Sequence, residues 1–144
     1  MKSYEREGYA VFQGIYDPKV IQTVKDRMSE IVQEVDLSSD NNIAVFSTEN
    51  NNRQKREDYF LDSAWQVKPF FEKDALDMAT GRLLVDKAVA FNKMGHNMHD
   101  LDPVFETLSY SRVIRTLLFK MMKFTQPQIV QSMYIFKVRH HHRI

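Results

Sequence analysis

Between positions 17 and 35 the apolar residues Val20, Ile21, Val24, Met28, Ile31, Val32 and Val35 recur every three or four places. Gln22, Lys25, Asp26, Ser29, Glu30 and Gln33 fill the gaps. That period gathers the apolar set on one side of an α-helix. Asp17-Pro18 supplies the start, because Asp is a good N-cap acceptor and the first helical position does not need the N–H that proline lacks. Mixed charge on the polar side favours a helix packed on a core over one lying on a membrane. The same Asp-Pro start returns at Asp102-Pro103, ahead of Val104, Phe105 and Leu108 and then Val113, Ile114, Leu117, Leu118, Met121 and Met122. Two helices are predicted there, divided near 109–111 and ending at about Lys123.

Strand-forming residues between turn signals mark most of the predicted strands, and alternation marks the last. Tyr9-Ala10-Val11-Phe12, between Gly8 and Gly14, predicts a brief strand after one turn of polar helix. The asparagine-rich stretch 38–58 predicts a long loop with one short strand at Ile43-Ala44-Val45-Phe46, serving either as a functional lid or as a mobile segment. Its Arg53, Lys55 and Arg56, set among Glu49, Glu57 and Asp58, fit a phosphate contact or a solvated loop. Tyr59-Phe60-Leu61 predicts a strand, with Trp65, Val67, Phe70 and Phe71 buried after it. Gly81 marks a turn before an extended Leu83-Leu84-Val85. Residues 128–137 predict a final strand with Ile129, Gln131, Met133 and Ile135 on one side and Val130, Ser132, Tyr134 and Phe136 on the other. Apolar residues on both sides call for cover on both faces. Only seven residues follow Lys137, so one cover is expected to come from elsewhere.

Composition narrows the class to a single soluble, intracellular domain, and the helices and strands predicted above make it α+β. The chain has 144 residues, 43% of them hydrophobic, enough for one core with little room for a second. A net charge of +1 offers no basic field for nucleic acid. The absence of cysteine excludes disulfides, thiolate zinc sites and a cysteine nucleophile. No apolar run approaches the roughly 18 residues of a membrane span. Glu5 and Glu7 stand where a secretory signal would be apolar. The chain does not end in Ser-Lys-Leu, one peroxisomal address, so the expected location is the cytoplasm.

Candidate chemistry is sparse. His96 and His99 would share a face if helical, with Asp100 or Asp102 as a carboxylate ligand, but Gly95 weakens the helix. Capping or core hydrogen bonding is the competing role. In the tail, His140 and His142 could chelate together from an extended segment, as an adventitious site. There is no Gly-rich phosphate loop, G-x-S-x-G elbow or H-E-x-x-H pair.

Six segments in order carry a resemblance. They are Glu7-Gly8-Tyr9-Ala10-Val11-Phe12-Gln13-Gly14, Asp58-Tyr59-Phe60-Leu61, Phe70-Phe71-Glu72-Lys73, Asn92-Lys93-Met94-Gly95-His96, Leu101-Asp102-Pro103-Val104-Phe105 and Val130-Gln131-Ser132-Met133-Tyr134-Ile135-Phe136-Lys137. Together they resemble the N-terminal part of the phytanoyl-CoA dioxygenase family, from about Tyr4 to Lys137. The resemblance implies helices and first strands of a double-stranded β-helix, or jelly-roll, left incomplete here. It gives residues 1–137 as the family portion and 138–144 as a divergent tail. It also implies an oxygenase that uses Fe(II) and 2-oxoglutarate, acting on an acyl-CoA or other lipid-like carbon. Lys93 and Met133 match family positions at the 2-oxoglutarate pocket; a surface lysine and a core methionine are the plainer roles for both.

The departure from the family lies in the iron ligands. A facial triad needs two histidines and a carboxylate with three positions left open. The family's His-x-Asp follows the strand that matches 131–137, whereas this chain reads Val-Arg-His-His-His-Arg-Ile and stops. No iron ligand carries over, and His96 matches a family position that is not one. The expectation is a shortened isoform or fragment that binds no iron and is inactive alone. The other reading is a non-catalytic module that pairs through the edge of strand 128–137 with a full-length relative or a second copy. Half a barrel that folds poorly is the third.

Overall fold

The computed structural model describes residues 2–37, 53–72, 74–77 and 80–136. The predicted strand 43–46, Lys137 and the tail histidines His140 and His142 lie outside the described residues.

A polar first helix, α1 (Lys2–Glu7), leads to α2 (Pro18–Glu34), which starts as predicted. The Asp17 side chain accepts from the Lys19 N–H at 2.8 Å, and Val24, Met28 and Ile31 form the buried stripe. Beyond its last turn, the Lys87 ammonium donates to the carbonyls of Gln33 and Val35, at 3.0 and 2.8 Å. A cation there satisfies acceptors left over at a helix C-terminus.

Three expectations are overturned in this half. Residues 9–12 form no strand; Tyr9 and Val11 are exposed, because strand formers without a partner strand gain no ladder. Residues 53–62 are neither loop nor strand but helix α3 (Arg53–Asp62), whose last turn carries Tyr59 and Phe60 onto the sheet. Trp65 is 79% exposed, since the chain leaves α3 through tight turns at Ser63 and Ala64 that turn the indole outward.

Strands β1 (Lys68–Phe71), β2 (Phe91–His96) and β3 (Ser132–Ile135) pair antiparallel in that order. Phe70 lies opposite Lys93, and Lys68 opposite Gly95. On the other side Lys93 lies opposite Ile135, and Gly95 opposite Met133. After β2 come α4 (Met98–Leu101), α5 (Pro103–Ser109) and α6 (Arg112–Thr116), the last running into a π-helical turn, Leu117–Met121. The second Asp-Pro start and the break near 109–111 therefore both stand.

The core joins Val24, Met28 and Ile31 of α2 to Phe71, Phe91, Met94, Met98 and Phe105. Tyr134 and Phe136 pack against it, whereas Met133 and Ile135 are 40% and 54% exposed. The last strand is thus covered on one face, shorter than predicted, and open on the other.

Candidate functional site

The open side of the sheet is where the residues with chemical potential collect. Successive side chains of a strand alternate between faces, so Lys93 and Gly95 of β2 share one, with Phe70, Ile135 and Met133 as cross-strand neighbours. Lys93 and Met133 are therefore diagonal neighbours, brought together by the β2–β3 register. Between them Gly95 approaches β3 closely. A Cβ on it would lie 3.2 Å from Met133 Cγ and 3.3 Å from the Ser132 carbonyl. The Lys93 ammonium sits 4.9 Å from the centre of the Phe70 ring, a favourable cation–π contact. Partial burial holds its pKa below the ordinary lysine value.

Helix α3 roofs the β1 end of this face. Tyr59 meets Phe70 edge-on with centroids 5.3 Å apart, and its hydroxyl donates to the Pro69 carbonyl at 2.6 Å. Burial pushes the Tyr59 phenol up. The Lys68 ammonium lies 4.5 Å from the centre of the Tyr59 ring and 3.2 Å from Asp62 Oδ2. Phe60 lies 4.4 Å over the His96 imidazole, and Phe70 lies 5.0 Å from it.

His96 is the unusual member. It is buried, and its Nδ1 is 2.7 Å from Ser63 Oγ. The Ser63 hydroxyl donates to the Phe60 carbonyl, so Oγ accepts from the imidazole and the proton of neutral His96 resides on Nδ1. Nε2 is buried and has no hydrogen-bond partner among the described residues. Leaving such an atom unsatisfied costs about 1–3 kcal/mol. Burial, then the charge of Lys93, lowers the His96 pKa, so the ring is kept neutral.

The pairing of His96 and His99 on one helical face does not occur. His96 ends β2 and His99 lies in α4, where Nδ1 is 2.7 Å from Ser132 Oγ. The two carboxylates proposed to join them have other tasks. Asp100 accepts from the Tyr110 hydroxyl at 2.8 Å. Asp102 accepts from Arg27 Nε at 2.8 Å and caps α5. Among the described residues no group of three His, Asp or Glu side chains could hold a metal ion.

Ser63 and Phe60 were not predicted as site residues. The only sequence trace is the four-residue step from Tyr59 to Ser63, which puts both on one side once the segment is helical.

Comparison with known proteins gives this corner its context. The sequence profile described as Phytanoyl-CoA dioxygenase (PhyH) matches residues 4–142. A Caenorhabditis elegans protein, phytanoyl-CoA dioxygenase domain-containing protein 1 homolog, is 38% identical over 136 residues, covering 94% of this chain and 46% of that protein. Phytanoyl-CoA dioxygenase 1 of Oryza sativa subsp. japonica is 35% identical, over 95% of this chain and 46% of its own. The mouse phytanoyl-CoA dioxygenase domain-containing protein 1 is 33% identical, over 97% of this chain and 48% of its own. The chain thus spans about half the length of the curated relatives it matches. With the profile running through nearly the whole sequence, the chain belongs to the phytanoyl-CoA dioxygenase family.

Proposed function

We propose that this chain is the N-terminal portion of an Fe(II)- and 2-oxoglutarate-dependent dioxygenase on a jelly-roll scaffold. In this reading residues 1–137 are the family portion and 138–144 a divergent tail. Lys93 and Met133 contribute one wall of the 2-oxoglutarate pocket. The observation that carries it is the β2–β3 register, which sets a partly buried ammonium and a methionine diagonally across Gly95. A dicarboxylate suits a fixed cation in a partly desolvated setting. The residues present fit the keto acid in that respect.

They do not fit iron. The sequence holds no His-x-Asp, and His96 and His99 each spend Nδ1 on a serine from different elements. The reading is therefore of a chain that binds the keto acid and does not hydroxylate by itself. Acyl-CoA or a similar lipid-like substrate belongs to the same reading, as does a cytoplasmic location. None of the described helices is long and apolar enough to cross a membrane.

The test is an anaerobic titration of the chain with Fe(II) and 2-oxoglutarate. The expected result is keto-acid binding without the visible charge-transfer band of an iron–keto acid complex. That band, with the 144-residue chain alone, would overturn the inactivity.

A second reading is favoured by one observation: among the described residues β3 lies at the edge of the sheet, and Ile135 on its open side is 54% exposed. Unpaired ladder groups beside apolar side chains accept an added strand. The chain would then act as a pairing module for a full-length relative or a second copy. Co-elution with such a partner, lost on Ile135→Lys, supports this reading, and a strictly monomeric chain counts against it.

A further inference from the structure

The unsatisfied imidazole nitrogen on β2 goes beyond the two pocket residues that family likeness supplies. We infer that a dicarboxylate bound at this corner is held by two nitrogens of the same strand, the Lys93 ammonium and His96 Nε2. The inference rests on the 2-oxoglutarate reading of Lys93 and adds to it a second polar contact.

Three observations point the same way. Nε2 of His96 is buried and has no partner among the described residues, although the opposite ring nitrogen is locked by Ser63. Lys93 and His96 both border the ring of Phe70, at 4.9 and 5.0 Å. Phe60, the outer cover of the imidazole, is 47% exposed, so its ring can swing aside into solvent without leaving a core position.

The protonation chemistry follows from the tautomer. Nδ1 already carries the proton of the neutral ring, so donation from Nε2 to a carboxylate requires a second proton, taken from solvent. The Lys93 charge opposes that proton, and a carboxylate between the two nitrogens removes the opposition. The other charged or titratable groups around His96 are engaged as well. Lys68 of β1 is paired with Asp62 of α3, Tyr59 of α3 donates to Pro69, and Asp58 of α3 has contacts of its own. From β3 the neutral Ser132 lies opposite His96. Binding should therefore take up as much as one proton at neutral pH, placed on His96.

The experiment is calorimetry of the whole chain with 2-oxoglutarate at pH 7 in phosphate and in Tris, whose ionisation heats differ. The inference expects net proton uptake by the parent. His96→Phe, which keeps an aromatic ring in the box, should lose the uptake and roughly tenfold in affinity, the scale of one charged hydrogen bond. As a check independent of any substitution, NMR titration of the unaltered chain should show the His96 ring pKa rising when 2-oxoglutarate is added. Equal affinity in His96→Phe, or an unmoved ring pKa in the ligand-bound parent, overturns the His96 contact, while lost binding in Lys93→Met leaves the keto-acid reading standing. A parent chain that binds no 2-oxoglutarate overturns that reading and this contact together.

Discussion

Arg27 Nε lies 2.8 Å from Asp102 Oδ2, joining the middle of α2 to the first turn of α5. The other oxygen of Asp102 accepts from the N–H groups of Val104 and Phe105, so one buried carboxylate caps a helix and pairs with a second helix at once. Arg27 is further held by Glu30 at 2.8 Å. Asp102→Ala removes the cap and one partner of Arg27, which Glu30 and Glu34 still hold, and should cost about 2 kcal/mol. Asp102→Asn keeps a capping oxygen and should cost less. Urea unfolding of the two variants checks the order. Equal losses would show that the ion pair, not the cap, is what matters there.

Gly95 offers a second, sharper test of the sheet. The nearest atoms to an added Cβ include the Ser132 carbonyl at 3.3 Å, which is backbone and cannot move without moving β3. Gly95→Ala is therefore expected to destabilise by about 1–3 kcal/mol, the usual cost of overpacking. The loss should concentrate in β3, with faster amide hydrogen exchange at Met133 and Ile135 than at β1. A uniform change across the three strands would mean that β3 is not the element that yields.

The legible parts of this fold were those fixed by neighbours in sequence. The two Asp-Pro helices are local objects: cap, proline and apolar stripe all fall within a few turns, and both α2 and α5 start where predicted. Helix α3 was not legible, because Arg53 to Asp58 is polar throughout and its apolar contacts to the sheet come from Tyr59 and Phe60 in the last turn. What selects helix there is packing on Phe70 and His96, from elements the local pattern does not contain. Residues 9–12 fail for the converse reason, having strand-forming side chains that pair with none of the described strands. The meeting of Lys93 with Met133 depends on pairing across 40 positions, and no local periodicity announces it. Family likeness singled out both residues, and the register supplies their adjacency.

Trp65 illustrates how little a large aromatic says about burial by itself. It is the only tryptophan, and it sits just past the turn that ends α3, with its N–H bonded to the Asp62 carbonyl at 3.0 Å and its indole in solvent. Intrinsic fluorescence should therefore show the long-wavelength emission of a hydrated indole and ready quenching by acrylamide. Trp65→Ala should change stability by less than ~0.5 kcal/mol, as surface substitutions do. Blue-shifted emission that is protected from the quencher would contradict the exposed placement.

The buried imidazole gives the chain a pH dependence of definite sign. In the unfolded chain His96 titrates near the ordinary 6.5, and in the folded chain its pKa is lower, through burial first and the Lys93 charge second. The unfolded state then binds more protons between those two values, so stability falls as pH drops below 6.5 and levels off once the folded ring is also protonated. Above 6.5 both states hold a neutral ring, and this group adds no slope. One group alone contributes at most about 1.4 kcal/mol per pH unit. His96→Gln, which cannot titrate and can still reach Ser63, should flatten the stability profile of the parent in the acid window and leave it unchanged in shape at pH 7 to 8. The measurement is urea unfolding at half-unit steps from pH 5 to 8. A variant whose profile parallels the parent throughout would mean that His96 already titrates in the folded chain as it does in the unfolded one, and that the aromatic box around it does not keep the ring neutral.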